Sequence, residues 1–337
     1  MGVNLRDLLE YKQIELSDLK GKVLVVDGNN MLYQFLSTIR QRDGSLFTDH
    51  KGRVTSHLIG LFSRVTNIMG KGVKLAFVFD GKMPELKRKE VQRRAEAKEM
   101  AAQKYARALE EEDVEEMKKY AARTSRLSKD MISDAIRLLE LLGLPVVQAP
   151  SEGEAQAAHM VAKGDAWATA SQDYDSLLFG SSRLVQNLSI EGRRKVPGRH
   201  VYKIVKPKLF VLEDNLKALG ITREKLIWLA ILIGCDYAPS GVKGIGPKKG
   251  LALVQKCSSA EELFEKVELA DDVDWRDVLS LFENMPVTDD YSLTWGPVKR
   301  KDVEHLLVEE HDFGRERVNN VLDKISAKKG QSLLGDF

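Results

Sequence analysis

The chain has 337 residues, 43% hydrophobic and 30% charged, enough to bury a large core as one big α/β domain or as a domain with a smaller one appended. Its 52 basic and 50 acidic side chains leave a net charge of +2, no run approaches the ~20 apolar residues of a membrane span, and Met1-Gly2-Val3-Asn4-Leu5-Arg6 has neither the form of a signal peptide nor, with Arg6, the N-myristoylation pattern. The only cysteines, Cys235 and Cys257, lack metal-ligand spacing, which argues against a zinc site and for a reducing, intracellular compartment.

Taken in chain order, the pattern is α/β with a mostly parallel central sheet flanked by helices. The apolar run Val23-Leu24-Val25-Val26 reads as a strand and ends at Asp27. Asn29 to Arg40 reads as a helix that Asn29 or Asn30 can cap. Residues 53–69 carry Val54, Leu58, Leu61, Val65 and Ile68 at helical spacing, and a strand over 74–79 ends at Asp80. The segment 85–122 is highly charged, Ala-rich and poor in bulky apolar residues, so it is expected as helices standing away from the core. Ser128 opens an amphipathic helix to Leu142 with Gly143 as its stop, followed by a short strand at Val146-Val147 and a helix from Glu152 to Ala162. Strands near 167–171, 183–188 and 201–205 are expected to complete the sheet, and the chain beyond Pro207 is expected to be predominantly helical.

The acids carry the chemistry. Asp27, Asp80 and Asp173 each close an apolar run, and Glu152, Glu154, Asp175 and Asp236 join them at predicted element ends. In an open parallel sheet, ligands bind outside the carboxyl ends of the strands. Acids gathered there repel one another unless a cation neutralises them, and an all-oxygen set favours Mg²⁺ or Mn²⁺ over Zn²⁺. Glu152 and Glu154 can converge if the first lies in the loop and the second in the first helical turn. Asp173 and Asp175, flanking Tyr174 in a non-helical stretch, would point to one side. Singly, each pair also suits helix caps or an Asx-turn; the whole set points to a metal-dependent hydrolase of phosphate esters.

Charge distribution adds a polyanion. Lys82, Lys87, Arg88, Lys89, Arg93, Arg94, Lys98, Lys104 and Arg107 form a basic stretch, followed by the acidic run Glu110-Glu111-Glu112-Asp113. Further basic groups lie at Arg193-Arg194-Lys195, Lys243, Lys248-Lys249 and Lys299-Arg300-Lys301. In the run from Gly241 to Gly250, glycines permit close approach of backbone to a phosphate, and Pro247 suits the first position of a helix. Lys243, Lys248, Lys249 and the N–H groups around Gly244 and Gly246 can then grip a DNA strand. No G-K-[ST] follows, so this is not a nucleotide-hydrolysing loop.

Five runs carry a family resemblance: Val25-Val26-Asp27-Gly28-Asn29, Phe77-Val78-Phe79-Asp80-Gly81, Ala149-Pro150-Ser151-Glu152-Gly153-Glu154-Ala155-Gln156-Ala157, Ser171-Gln172-Asp173-Tyr174-Asp175 and Ile233-Gly234-Cys235-Asp236-Tyr237. In their order, and over essentially the whole chain, they resemble the flap endonuclease-1 family of the archaeal type, structure-specific 5′ nucleases. The resemblance implies an endonuclease, also a 5′–3′ exonuclease, that cuts branched DNA near the base of 5′ flaps in Okazaki-fragment processing and repair. It implies two Mg²⁺ ions, with Mn²⁺ as a substitute, held by Asp27, Asp80, Glu152 and Glu154 on one side and Asp173, Asp175 and Asp236 on the other. Lys87 and Arg94 match the family's cations at the scissile phosphate, and Tyr33 its aromatic on which a nucleotide stacks.

The same resemblance divides one nuclease domain, 1–330, into an N-terminal region of about 1–100, a helical gateway and cap over the active site at about 85–130, an internal region to about 260 with a helix–two-turn–helix DNA-binding element, and a C-terminal helical region over 261–330. A K⁺ ion is implied at the helix–two-turn–helix element. The tail 331–337 resembles a sliding-clamp-binding motif through Gln331, Leu334 and Phe337, without the usual second terminal aromatic. A monomer in the cytoplasm or nucleoid, with no membrane partner, is implied. Two rivals fit less well. A haloacid-dehalogenase-like phosphatase usually has a second acid two residues after its first, where this chain has Asn29. A non-enzymatic junction scaffold would carry the repulsion of all these acids to no purpose.

Overall fold

Apolar runs that end in acids become the middle of one sheet. The computed structural model describes residues 2–111, 113–190, 192–195, 202–270 and 273–332. The first part of the chain forms β1 (Lys12–Gln13), β2 (Val23–Asp27), α1 (Gly28–Thr38), α2 (Ser56–Met69), β3 (Lys74–Phe79), α3 (Arg88–Glu110) and α4 (Val114–Ala121). The middle forms α5 (Lys129–Leu141), β4 (Val146–Gln148), α6 (Gly153–Ala162), β5 (Ala168–Ala170), α7 (Asp175–Leu178), β6 (Arg183–Gln186), β7 (Gly192–Lys195), β8 (Tyr202–Val205) and β9 (Lys208–Val211). Then come α8 (Leu212–Leu219), α9 (Arg223–Ile233), α10 (Pro247–Lys256), α11 (Ala260–Phe264), α12 (Trp275–Glu283), α13 (Arg300–Glu304) and α14 (Arg315–Ser332).

The main sheet runs β1-β9-β6-β5-β2-β3-β4. Pairs from β6 through to β4 are parallel, whereas β9 and β1 join antiparallel at one edge. Central β2 reads as an unbroken apolar run because both of its faces are covered. Leu24 and Val26 pack with Phe77, Phe79 and helices α1, α2 and α5 on one side, while Val25 and Val78 pack with α6 on the other. A further core surrounds α9, whose run from Leu226 to Leu232 is wholly buried against Leu5, Leu177 and Phe210.

Chain order reverses around β2. From β2 the chain steps outward through β3 to β4, and α6 then carries it back to β5 on β2's other side. That reversal opens a crevice at the carboxyl ends of β2, β3 and β5, where this architecture places ligands.

Three expectations need correction. Residues 202–205 do not enter the main sheet; they pair with Gly192–Lys195 as a separate antiparallel ribbon. The sheet is completed by Lys208–Val211, in a stretch read as the start of a helical region. Phe210 there is buried against Tyr11 and Tyr174, and this long-range aromatic packing outweighs the helical periodicity that continues from Leu212. Helix α1 begins at Gly28, because Asp27 rather than an asparagine caps it.

The charged segment forms helices, as its propensity implies. Helix α3 buries only Glu90, Ala101 and Ala108. The acidic run lies at the turn into α4, where the Asp113 carboxylate accepts the N–H groups of Glu115 and Glu116, as a helix N-terminus favours. Among the described residues, no helix is long and apolar enough to cross a membrane.

Candidate metal and DNA site

The acids reach the crevice from several element ends. Asp27 closes β2, and its Oδ1 accepts the N–H of Asn30 at 2.9 Å. Asp80 follows β3; its Oδ1 accepts the Gly153 N–H at 2.7 Å and its Oδ2 accepts Asn29 Nδ2 at 2.5 Å. Glu152 is the N-cap residue of α6 and Glu154 lies in that helix's first turn. Ser171, just past β5, donates through Oγ to Glu154 Oε1 at 3.1 Å. Asp173 accepts Asn30 Nδ2 at 2.8 Å, so Asn30 ties β2's acid to β5's. Asp175 is the first residue of α7 and not part of a non-helical stretch; its Oδ1 accepts the Val3 N–H at 2.9 Å, which brings the N-terminal segment to the site. Asp236 follows α9 after Gly234.

Gly81 shows how tightly the edge is drawn. Its N–H donates to Ser151 O at 2.7 Å, and a Cβ added there would lie 2.1 Å from Ala149 O. Only glycine lets the backbones after β3 and β4 approach so closely, which sets Asp80 beside the α6 N-terminus.

Electrostatics report the crowding. Burial, then the charge of Asp80, pushes Asp27 up to about 8. Burial, then Asp236 and Asp173, raises Asp175 to about 7. Glu154 is raised well above its ordinary value by burial and by Asp175 and Asp27. Burial raises Glu152 as well, though Lys87 opposes the shift. For Lys87, burial favours the neutral amine, but the charges of Glu152 and Asp236 outweigh it and the ammonium is strengthened. Arg94 follows the same logic, with Asp236 and Glu90 overcoming its burial.

Both cations sit among the acids. Lys87 Nζ lies 2.5 Å from Glu152 Oε2 and 3.3 Å from Asp236 Oδ2, and Arg94 Nη2 donates to Asp236 Oδ1 at 2.5 Å. Among the described residues, no three His, Cys, Asp or Glu side chains stand in the geometry that grips one ion. Lys87 and Arg94 hold part of the carboxylate set as counter-charges. The chemistry still fits divalent cations. The donors are hard oxygens, and burial, with neighbouring carboxylates adding to it, raises Asp27, Glu154 and Asp175 so that the arrival of positive charge favours their ionised form.

Around the crevice, Tyr33 on α1 is 40% exposed, with Lys98 Nζ 4.9 Å from its ring centroid. The loop that carries Asp236 continues directly into the Gly-rich turn. Gly241 and Gly244 there take left-handed φ of 54° and 78°, Gly246 caps α10, and Pro247 is that helix's first residue. Lys243, Lys248 and Lys249 are exposed. Gln331 lies within α14, whereas Leu334 and Phe337 fall outside the described residues.

Sequence reasoning missed the groups that orient the acids. Asn29 and Asn30 were expected as caps, yet their amides hold Asp80 and Asp173. Ser171 and the Val3 N–H were not singled out. The doublet of asparagines directly after a strand-ending acid was the available signal; nothing local marks Val3.

Comparison with known proteins places this geometry. Residues 1–101 match the XPG N-terminal domain and residues 143–236 the XPG I-region. Flap endonuclease 1 of Pyrococcus abyssi is 53% identical over 325 residues, covering 96% of this chain and 94% of that protein. The Thermococcus onnurineus protein of the same name is 52% identical with the same coverage. The solved flap endonuclease-1 from Methanococcus jannaschii superposes with a TM-score of 0.77 at 39% identity, covering 98% of this chain and 100% of that one. At the level of fold alone, the catalytic core of Rad2 in complex with DNA substrate has a TM-score of 0.70 at 23% identity, covering 96% of this chain and 100% of that one. Strand-end acids, interleaved cations and matches along nearly the whole length lead to one conclusion: the chain belongs to the flap endonuclease 1 family, DNA-binding, metal-dependent nucleases that cut flap structures in replication and repair.

Proposed function

We propose that the acid edge holds two Mg²⁺ ions, replaceable by Mn²⁺, and that Lys87 and Arg94 act there on the scissile phosphate of a 5′ flap. The observation that carries this reading is the convergence of both cations on Asp236 at the acid edge. An anion-seeking pair held at the edge of the site, Lys87 mostly buried and Arg94 half-buried, is placed to meet a phosphate that displaces its carboxylate partners. Asp27, Asp80, Glu152 and Glu154 would hold one ion and Asp173, Asp175 and Asp236 the other, some of them through water. Bound Mg²⁺ supplies an activated water and neutralises charge on the attacking and leaving oxygens.

The protein's own groups do the rest. Asn29, Asn30, Ser171 and the Gly153 N–H fix the carboxylates, so little reorganisation is required when positive charge enters. Lys87 and Arg94 stabilise the negative charge that grows on the phosphate. Tyr33 offers a face for stacking the nucleotide at the cut, and the charged helices α3 and α4 form the gateway. Hydrolysis breaks one P–O bond and leaves a 5′ phosphate and a 3′ hydroxyl.

Lys243, Gly244, Gly246, Lys248 and Lys249 hold the duplex away from the cut, with a K⁺ ion bound by backbone carbonyls of that turn. Gln331, Leu334 and Phe337 dock a sliding clamp, an idea tested by losing clamp binding in Phe337→Ala. The nuclease region over 1–330 works as a monomer. With DNA as its substrate, its place of action is inside the cell.

The deciding assay is Mg²⁺-dependent cleavage of end-labelled double-flap DNA by the wild type and Asp80→Ala. Discrete cutting near the flap base, lost in the variant while DNA binding persists, is the expected result. Tight flap binding by the wild type without cleavage under Mg²⁺ or Mn²⁺ would overturn the reading.

A further inference from the structure

Glu90 stands apart on the gateway helix. The other carboxylates that pair within this charged region are open to water: the side chains of Glu85, Glu99, Glu111 and Glu116 are 84%, 63%, 58% and 40% exposed. Glu90's side chain is 4% exposed, on a helix that otherwise buries only two alanines. A buried carboxylate is costly unless it is paired and hydrogen-bonded. Its partner is Arg94, whose Nε donates to Glu90 Oε1 at 2.6 Å. Glu90 Oε2 lies 2.8 Å from Arg93 Nη2, an ion-pair contact outside hydrogen-bond alignment.

The two ends of the Arg94 guanidinium therefore have different jobs. The Nε edge is anchored on its own helix, one turn back, while Nη2 reaches across to Asp236 Oδ1 at 2.5 Å. An unanchored arginine on an exposed helix samples many rotamers, and fixing it costs entropy at the moment of reaction. Anchored at Nε, the Nη end can pass from Asp236 to a phosphate oxygen without the side chain letting go of its helix.

We propose that Glu90 is the positioning residue of the cleavage reaction, holding Arg94 by its Nε edge so that its Nη end is presented to the scissile phosphate. It touches neither substrate nor metal in this role. The inference rests on the reading of Arg94 as a phosphate contact, and the two can fail separately.

The experiment is a double-mutant cycle in single-turnover cleavage of double-flap DNA, with flap affinity measured in parallel in Ca²⁺. Glu90→Ala is expected to slow the single-turnover rate about 10–100-fold, the size of one charge-assisted hydrogen bond at tenfold per 1.36 kcal/mol. Flap affinity should stay within about twofold, since the contact acts on orientation rather than binding. Glu90→Gln, which keeps the acceptor oxygen and the shape, should recover most of the rate and also guards against a folding defect in the alanine variant. In an Arg94→Ala background, Glu90→Ala should have no further effect.

Each other outcome is decisive. If Arg94→Ala alone leaves the rate intact, the reading of Arg94 fails. If Arg94→Ala is slow but Glu90→Ala multiplies the loss, Glu90 acts elsewhere and this inference fails. Unchanged cleavage by folded Glu90→Ala, or equal losses in the Gln and Ala variants, also overturns it.

Discussion

Replacing Lys87 with Met keeps most of the side chain's volume but removes the charge between Glu152 and Asp236. In the metal-free protein this leaves two carboxylates, whose side chains are 9% and 11% exposed, without the ammonium at 2.5 and 3.3 Å. Breaking a fully buried pair costs about 3–5 kcal/mol; discounted for residual exposure, about 2–4 kcal/mol is expected here. At about 2.1 cal/mol/K per residue, unfolding entropy for 337 residues converts each kcal/mol to roughly 1.4 °C, so Tm in EDTA should fall by about 3–6 °C. Mg²⁺ should reverse the loss, because a divalent cation replaces the missing charge. Apparent Mg²⁺ affinity should rise, since the ion no longer competes with an internal ammonium. Cleavage should nevertheless slow by about 10²–10³, the cost of losing one donor to developing charge. Differential scanning fluorimetry in EDTA and across a Mg²⁺ titration, beside single-turnover cleavage, reads all three. An unchanged Tm in EDTA with unchanged Mg²⁺ dependence would refute the bridging role, whatever happened to the rate.

Gly81→Ala should be far worse than its size suggests. Its Cβ meets backbone at Ala149 O and Pro150, so the ends of β3 and β4 must separate, at a cost of about 1–3 kcal/mol, and Asp80 must lose register with Gly153; thermal unfolding and flap cleavage check both. In EDTA, stability should decline as pH rises from about 4 to about 8, by a few kcal/mol in order of magnitude. The raised values of Asp27 and Asp175 mean that the native state binds more protons than the unfolded chain across that window; Mg²⁺ should abolish the decline, and Tm profiles with and without the metal give the comparison. His57 has the opposite sign: fully buried with both ring nitrogens unpartnered, it is held down to about 4, so the unfolded state takes the proton first and stability is lost as pH falls from about 6.5 towards 4. A folded His57→Leu protein should show a flatter acid limb, by about 2 kcal/mol between pH 7 and pH 5, measured by urea unfolding at those two values.

Much of the site is legible because its information is local. An apolar run ending in an acid marks a buried strand whose carboxyl end carries a charge, and Asp27 and Asp80 are placed by that pattern alone. Glu152 before and Glu154 within a first helical turn follow from the same reasoning. The edge strands were not legible. Lys208–Val211 and Lys12–Gln13 are short, and what makes them strands is each other and β6, about 170 residues from β1. The same distance in sequence hid the Val3 N–H on Asp175.

The sequence by itself determined the chemistry on offer: which oxygens end which strands, which stretches carry clustered positive charge, and which residues are excluded as ligands. Only the tertiary structure decided how those charges are shared. Lys87 lies between Glu152 and Asp236, Arg94 spans Glu90 and Asp236, and the asparagines after Asp27 hold Asp80 and Asp173. The physical reason lies in range. Burial pattern and capping are set by neighbours a few residues apart, whereas a charge finds its partners through space, across whichever elements packing brings together.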